Sequence, residues 1–192
     1  GNALRLGKPI IYDTAEIRKL LGPSKRIKRV FASHPGQVNG AYCLDNSWFF
    51  YLMEALVTPG SGQVKVLGPM GCFQKEACEI AYLHAKSVIN ADAFDFSRYD
   101  VTFHVPQPIP DSIGNQVGMA AFAALCSRVL NRDLTQKKVC FGGGCTLLGN
   151  IFLDESDLSP MVQAMHKAGL SAIFAPMGSN EKIDAAVNAA CG

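Results

Sequence analysis

Apolar residues along this chain switch repeatedly between a spacing of two and a spacing near 3.6, and that order admits few architectures. Short alternating runs come first, at Gln37 to Leu44, Trp48 to Val57 and Gln63 to Leu67, separated by Asp45-Asn46 and Pro59-Gly60-Ser61-Gly62. They are expected to pair as an antiparallel meander. Cys78, Ala81, Tyr82, Ala85, Val88 and Ile89 then recur at helical spacing and predict a helix over Phe73 to Ile89. Asp100 to Val105 alternates as a strand and is stopped by Pro106, Pro108 and Pro110, none of which can donate to a ladder.

An alanine-rich helix is predicted over Asn115 to Leu130, with strands near Lys138 to Phe141 and Asn150 to Leu153. A helix over Asp157 to Lys167, a strand over Ser171 to Ala175 and a helix over Glu181 to Ala190 complete the order. Gly169 fits a helix C-cap and Ser179 an N-cap. This order implies an α+β fold, a mixed sheet with helices packed on it. Residues 1–36 read as a lead-in with one short helix, Thr14 to Leu21, and residues 37–192 as one domain. The opening Gly1-Asn2-Ala3 reads as an internal start or a processed end.

Charge nominates no partner: 18 basic and 16 acidic side chains give a net +2, too balanced to drive binding to nucleic acid or an anionic membrane. The run Lys25 to Arg29 carries no interleaved aromatic and reads as a solvated face. No stretch is apolar for long enough to span a bilayer. At 48% hydrophobic and 18% charged the chain is apolar, which suggests surface covered by partners. Seven cysteines, an odd number without a C-x-x-C pair and mostly in apolar stretches, point to buried thiols in a reducing compartment, the cytosol or a mitochondrial matrix.

Eight fragments in order resemble the proteolytic domain of Lon proteases. Val38-Asn39-Gly40-Ala41 is similar to the family's opening strand, and Glu54-Ala55 with Pro59-Gly60-Ser61-Gly62 to its next strand and turn. Leu67-Gly68-Pro69-Met70-Gly71, Phe103-His104-Val105-Pro106 and Gly114-Asn115-Gln116-Val117-Gly118 follow. Thr146-Leu147-Leu148-Gly149, His166-Lys167-Ala168-Gly169 and Asn180-Glu181-Lys182 complete the set.

The resemblance implies a serine nucleophile with a lysine as general base. Carried over by position, the nucleophile falls on Gln116 and the base on Leu158 or Ser159. An amide has no useful ionisable proton, and no lysine lies between Lys138 and Lys167. Gly142-Gly143-Gly144 also stands where the family has Thr-Gly-Glu. The expectation is a domain without a catalytic pair, retained for oligomerisation, such as a six-membered ring, or for binding a protein partner, with an ATPase domain elsewhere. The alternative is an active ATP-dependent Lon-type endopeptidase with a displaced pair.

Other chemistries are weaker. Ser112 reads as turn chemistry, and Cys140 or Cys145 with His104 would supply the ingredients of a thiol protease but also fit as packed strand residues. Gly142-Gly143-Gly144 lacks phosphate-loop spacing and reads as a bulge or tight crossing. Cys72/Cys78 and Cys140/Cys145 are not at structural-zinc spacing, so no metal or cofactor is expected. Trp48-Phe49-Phe50-Tyr51 is a bulky strand that reads as core, with a partner-binding patch as the other option.

Overall fold

A computed structural model describes residues 32–134, 138–153 and 159–174. The lead-in helix at Thr14 to Leu21, the helix at Glu181 to Ala190 and its Ser179 cap lie outside these residues.

Two long strands form the spine. β1 (Gln37–Leu44) and β2 (Ser47–Pro59) pair antiparallel, from Gln37 opposite Glu54 to Leu44 opposite Ser47. The two residues between them, Asp45 and Asn46, both have positive φ, 49° and 58°, as a tight hairpin whose twist matches the strands requires. Gly40 is forced by proximity: a β-carbon there would enter the ring of Tyr51 on the facing strand.

β3 (Val64–Leu67) departs from the expected meander, because it lies parallel to β4 (Tyr99–His104), and β4 occupies the place beside β2. The physical reason is the turn after β2. Asp100 Oδ1 accepts the amide hydrogens of Ser61 and Gln63 at 2.8 and 2.9 Å, which carries the chain past the start of β4 instead of back along β2. Those bonds hold the Asp100 carboxyl below its usual range.

The sheet order is β3-β4-β2-β1-β5-β8, with β5 (Val139–Gly142) parallel to β1 and β8 (Ala172–Phe174) parallel to β5. β6 (Gly144–Cys145) and β7 (Ile151–Phe152) form a small separate hairpin. The parallel and antiparallel pairs together make the sheet mixed, as an α+β fold requires.

Helices lie on both faces. α1 (Cys72–Val88) buries Gln74, Ala77, Cys78, Ala81, Tyr82 and Ala85; the predicted stripe holds from Cys78 to Ala85, but Val88 at the helix end is exposed. Its start is tied by Gln74, which accepts from the Gly71 amide at 2.6 Å and donates to the Pro110 carbonyl at 2.7 Å. α2 (Gly118–Val129) packs on α1 and on β1, β2 and β5 through its alanines. It begins three residues later than the alanine pattern suggests, because Gly114 has φ +58° and Asn115 to Val117 form a turn.

With Val38, Tyr51, Met53, Val101 and Phe103, these helices form the larger core. α3 (Ser159–Ala168) covers the opposite face, where Met161 and Met165 meet Ala41, Cys43, Trp48 and Cys140. Gly169 ends α3 at φ +74°, as a helix C-cap should.

β2 is shared unequally. Its residues 47–54 pair with β1 and its residues 54–59 with β4, so the two ladders overlap only at Glu54. The Glu54 carboxylate binds both neighbours there, accepting from Gln37 Nε2 at 2.8 Å and pairing with His104 Nδ1 at 2.7 Å.

Candidate functional site

The segment that joins β4 to α2 carries the position of greatest interest. After His104 the prolines prevent further pairing, a short 3₁₀ turn forms at Asp111–Ile113, and Gly114 bends the chain so that Gln116 faces β1. β5 accompanies β1 only from Asn39 to Ala41 and then leaves at Gly142, so the next outward-facing backbone pair, on Cys43, is left over. Gln116 fills that notch. Its Oε1 accepts from the Cys43 amide at 3.0 Å, and its Nε2 donates to the Cys43 carbonyl over a looser 3.4 Å. The amide therefore stands in for one residue of a neighbouring strand, and both of its functional atoms are engaged.

Behind the notch, the strands and α2 are joined tightly. The Met119 amide, an otherwise unpaired N–H at the helix start, donates to the Gly143 carbonyl at 3.1 Å. Gly143 itself has φ +92° and links β5 to β6, so the glycine run is a sharp crossing held against α2. Gly118 faces Cys145 so closely that a β-carbon would sit 3.1 Å from the Cys145 nitrogen.

No basic group reaches Gln116 through a hydrogen bond among the described residues. Lys65 lies on β3, at the far edge of the sheet, and neighbours Asp100. Lys75 is exposed on α1. Of the two positions that the resemblance offers for the base, Leu158 lies outside the described residues, and Ser159 is described only as the first residue of α3. Ser112 is exposed in the 3₁₀ turn beside Asp111.

The cysteine alternative does not assemble. His104 is on β4 and Cys140 on β5, three strand spacings apart, about 14 Å at the usual interstrand distance. His104 is instead paired with Glu54. Burial pushes the Cys140 thiol up to about 12 and the Cys145 thiol up to about 11, the opposite of what a nucleophile needs. Cys78 is likewise raised to about 12.

A measurable consequence concerns alkylation. At pH 8 a thiol with a pKa near 12 is ionised in only about one molecule in ten thousand. Iodoacetamide is therefore expected to modify the exposed Cys72 at least a hundredfold faster than Cys78 or Cys140 in the folded protein. Peptide mapping after brief labelling checks this, and comparable rates at the three sites would contradict the burial.

Two clefts flank this region. One of about 450 Å³ lies over Glu54, His104, Leu56, Leu67 and Arg128; the other, about 470 Å³, runs between α1 and the 3₁₀ turn, over Phe73, Ile80, Asp111 and Asn115. Among the described residues no group of three or more His, Cys, Asp or Glu side chains is placed to hold a metal ion. Two of these features are invisible in the linear order of residues. The Cys43 backbone lies 73 residues from Gln116, and the Glu54–His104 pair becomes visible only when the β2–β4 register is known.

Among the described residues, a mixed sheet with two helices on one face and one on the other, and a proline-bearing segment leading into the central helix, define the class. Residues 12–189 match the family model of the Lon protease (S16) C-terminal proteolytic domain. The chain belongs to this family. It is 28% identical over 152 residues to a Lon protease of Methanosarcina barkeri, covering 78% of this chain and 19% of that protein. It is 25% identical over 186 residues to a Lon protease of Fervidobacterium nodosum, covering 95% of this chain and 23% of the relative. Lon protease 1 of Bacillus subtilis is 27% identical over 135 residues, 69% of this chain and 17% of its own length. The chain thus spans about a fifth of the length of the relatives it matches.

Proposed function

We propose that this is a proteolytically silent Lon-type domain that serves as an assembly or partner-binding module. The observation that carries the reading is the state of Gln116. At the position where the family resemblance puts the serine nucleophile stands an amide, and it is bonded to the Cys43 backbone on both of its polar atoms. Acylation needs an ionisable oxygen or sulfur there and a neighbouring base. Loss of such a nucleophile costs about a millionfold in turnover in serine hydrolases. The absence of lysine between residues 138 and 167 agrees with it.

Such a domain would still present the surfaces through which it assembles. The reading includes a homo-oligomer, a six-membered ring among the options, and an ATPase contributed by another segment or chain. Buried thiols with raised pKa suit a reducing compartment, the cytosol or a mitochondrial matrix.

Exposure to a serine-reactive fluorophosphonate followed by intact-mass measurement is expected to show no adduct, and casein no cleavage. An adduct together with turnover would establish a working pair supplied from elsewhere in the chain and overturn the silent reading. Light scattering behind size exclusion is expected to give a mass above 20.6 kDa or a co-eluting partner.

A further inference from the structure

At the β3–β4–β2 end the sheet has a face that no helix covers among the described residues. Ala55, Val66, Val101 and Phe103 turn into the larger core, so Glu54, Leu56, Leu67, Thr102 and His104 share the outer side. Along β2 that outer row is covered at Trp48 and Phe50, which pack with Met161 and Met165 of α3, and uncovered at Leu56. Leu67 and Leu56 lie one strand to either side of β4, which opens a slot about 10 Å wide with Thr102 and His104 as its floor. Both leucines are more than half exposed, at 54% and 53%. The slot belongs to the cleft of about 450 Å³ that also reaches Arg128.

The polar groups of this cleft are unequally engaged. Glu54 is committed, one carboxylate oxygen holding Gln37 Nε2 at 2.8 Å and the other His104 Nδ1 at 2.7 Å. Nε2 of His104 is left as the outer ring nitrogen, and no hydrogen bond reaches it among the described residues. Arg128 is left over as well. Its stem lies across Gly36, where a β-carbon would sit 3.2 Å from both Cβ and Cδ of the arginine. Among the described residues it forms no salt bridge, although Glu54 lines the same cleft.

We propose that this cleft binds a carboxylate carried on a short apolar body, the chemistry shared by a free acylated amino acid and by the C-terminus of a polypeptide ending in leucine. The charge follows from Arg128, because a guanidinium without a counter-ion is matched by a planar carboxylate on two parallel N–H donors. The Glu54 carboxylate in the same cleft favours a monoanion over a phosphate dianion. The apolar body follows from Leu56 and Leu67, whose spacing leaves room for one branched side chain above Thr102. An amide N–H beside the carboxylate, present in both sources, is matched by His104 Nε2, an acceptor in the neutral ring. Gln37 and Cys43 mark opposite ends of β1, roughly 20 Å apart at the usual rise, so this site is separate from the Gln116 notch and the inference stands whether or not the domain is silent.

NMR titration supplies the test. N-acetyl-leucine is expected to shift the amides of Leu56, Leu67 and Thr102 and the Arg128 Nε–H saturably in the millimolar range. N-acetyl-leucinamide, which lacks only the charge, is expected to bind at least about tenfold more weakly, as is inorganic phosphate. Arg128→Gln should weaken N-acetyl-leucine by about tenfold or more and leave the leucinamide within about twofold, a split that general loosening of the cleft would not produce. Should Arg128→Gln not fold, Leu56→Asp, which sets a like charge on an exposed wall, should weaken the acid more than the leucinamide. Acetyl-alanyl-alanyl-leucine with a free carboxylate tells the two sources apart: tighter binding than N-acetyl-leucine assigns the site to a chain end, and equal or weaker binding to a free acid, each upholding the carboxylate site.

The proposal is overturned if N-acetyl-leucine produces no saturable shift, if the leucinamide or phosphate binds as well as the acid, or if the folded variants bind the acid unchanged. A fluorophosphonate adduct would overturn the silent reading and leave this one intact.

Discussion

Replacing Gly143 by alanine is expected to lower the stability of the domain by about 3–4 kcal/mol, which for a chain of this size is roughly a 10 °C fall in melting temperature. Two costs combine. The φ of +92° is one that a β-carbon disfavours by about 1–2 kcal/mol. The added carbon would also fall inside contact distance of the Phe152 carbonyl oxygen, a backbone atom that cannot rotate away. Relief would require moving β7 off β6, where Gly144 pairs with Phe152 and Cys145 with Ile151. It would also disturb the Gly143 carbonyl that receives the Met119 amide at the start of α2. Thermal unfolding followed by circular dichroism measures the change, and a melting point within about 2 °C of the parent would show that the crossing is far softer than its geometry implies.

Gly40→Val is expected to cost about 3 kcal/mol, for a different reason. The backbone there is ordinary strand, but the Tyr51 ring lies across the space that a side chain would need. Tyr51 is 3% exposed, so the ring has nowhere to go. Trimming the ring should therefore help: Tyr51→Ala, expected to cost about 3–5 kcal/mol alone, should cost at least about 1.5 kcal/mol less in the Gly40→Val background. Strict additivity in urea denaturation of the four proteins would refute the contact. The Tyr51 hydroxyl is buried without a hydrogen-bond partner among the described residues, and burial pushes its pKa well up, so the ring is present for its bulk.

Local periodicity carried much of the fold. β1 and α1 were readable almost to the residue: α1 buries one stripe at helical spacing, from Gln74 to Ala85, and β1 is a short apolar run buried on both faces from Val38 to Cys43. Neighbour choice was not readable. Nothing within Val64–Leu67 says that its partner is β4, because that choice is made by the Asp100 carboxylate some 35 residues on.

The start of α2 was misjudged for a similar reason. The alanine pattern continues through Asn115, but Gly114 takes a conformation that no helix can continue from. At the site, Gln116 could be named from its motif, whereas its bond to Cys43 depends on where β5 stops. The separation of His104 from Cys140 is likewise a property of strand order, which a linear pattern does not encode.

The single-row overlap at Glu54 has a mechanical corollary. One plate, β1 with β5 and β8, and another, β3 with β4, hang from the two ends of the same thirteen-residue strand and share almost no seam. At that row one carboxylate, clasped by Gln37 on one side and His104 on the other, ties the two plates to each other. Elsewhere the plates are joined by the β2 backbone and by the larger core, to which Val38 and Phe141 of one and Val101 and Phe103 of the other both belong, so loss of the Glu54 side chain would loosen the sheet at that row without dividing it.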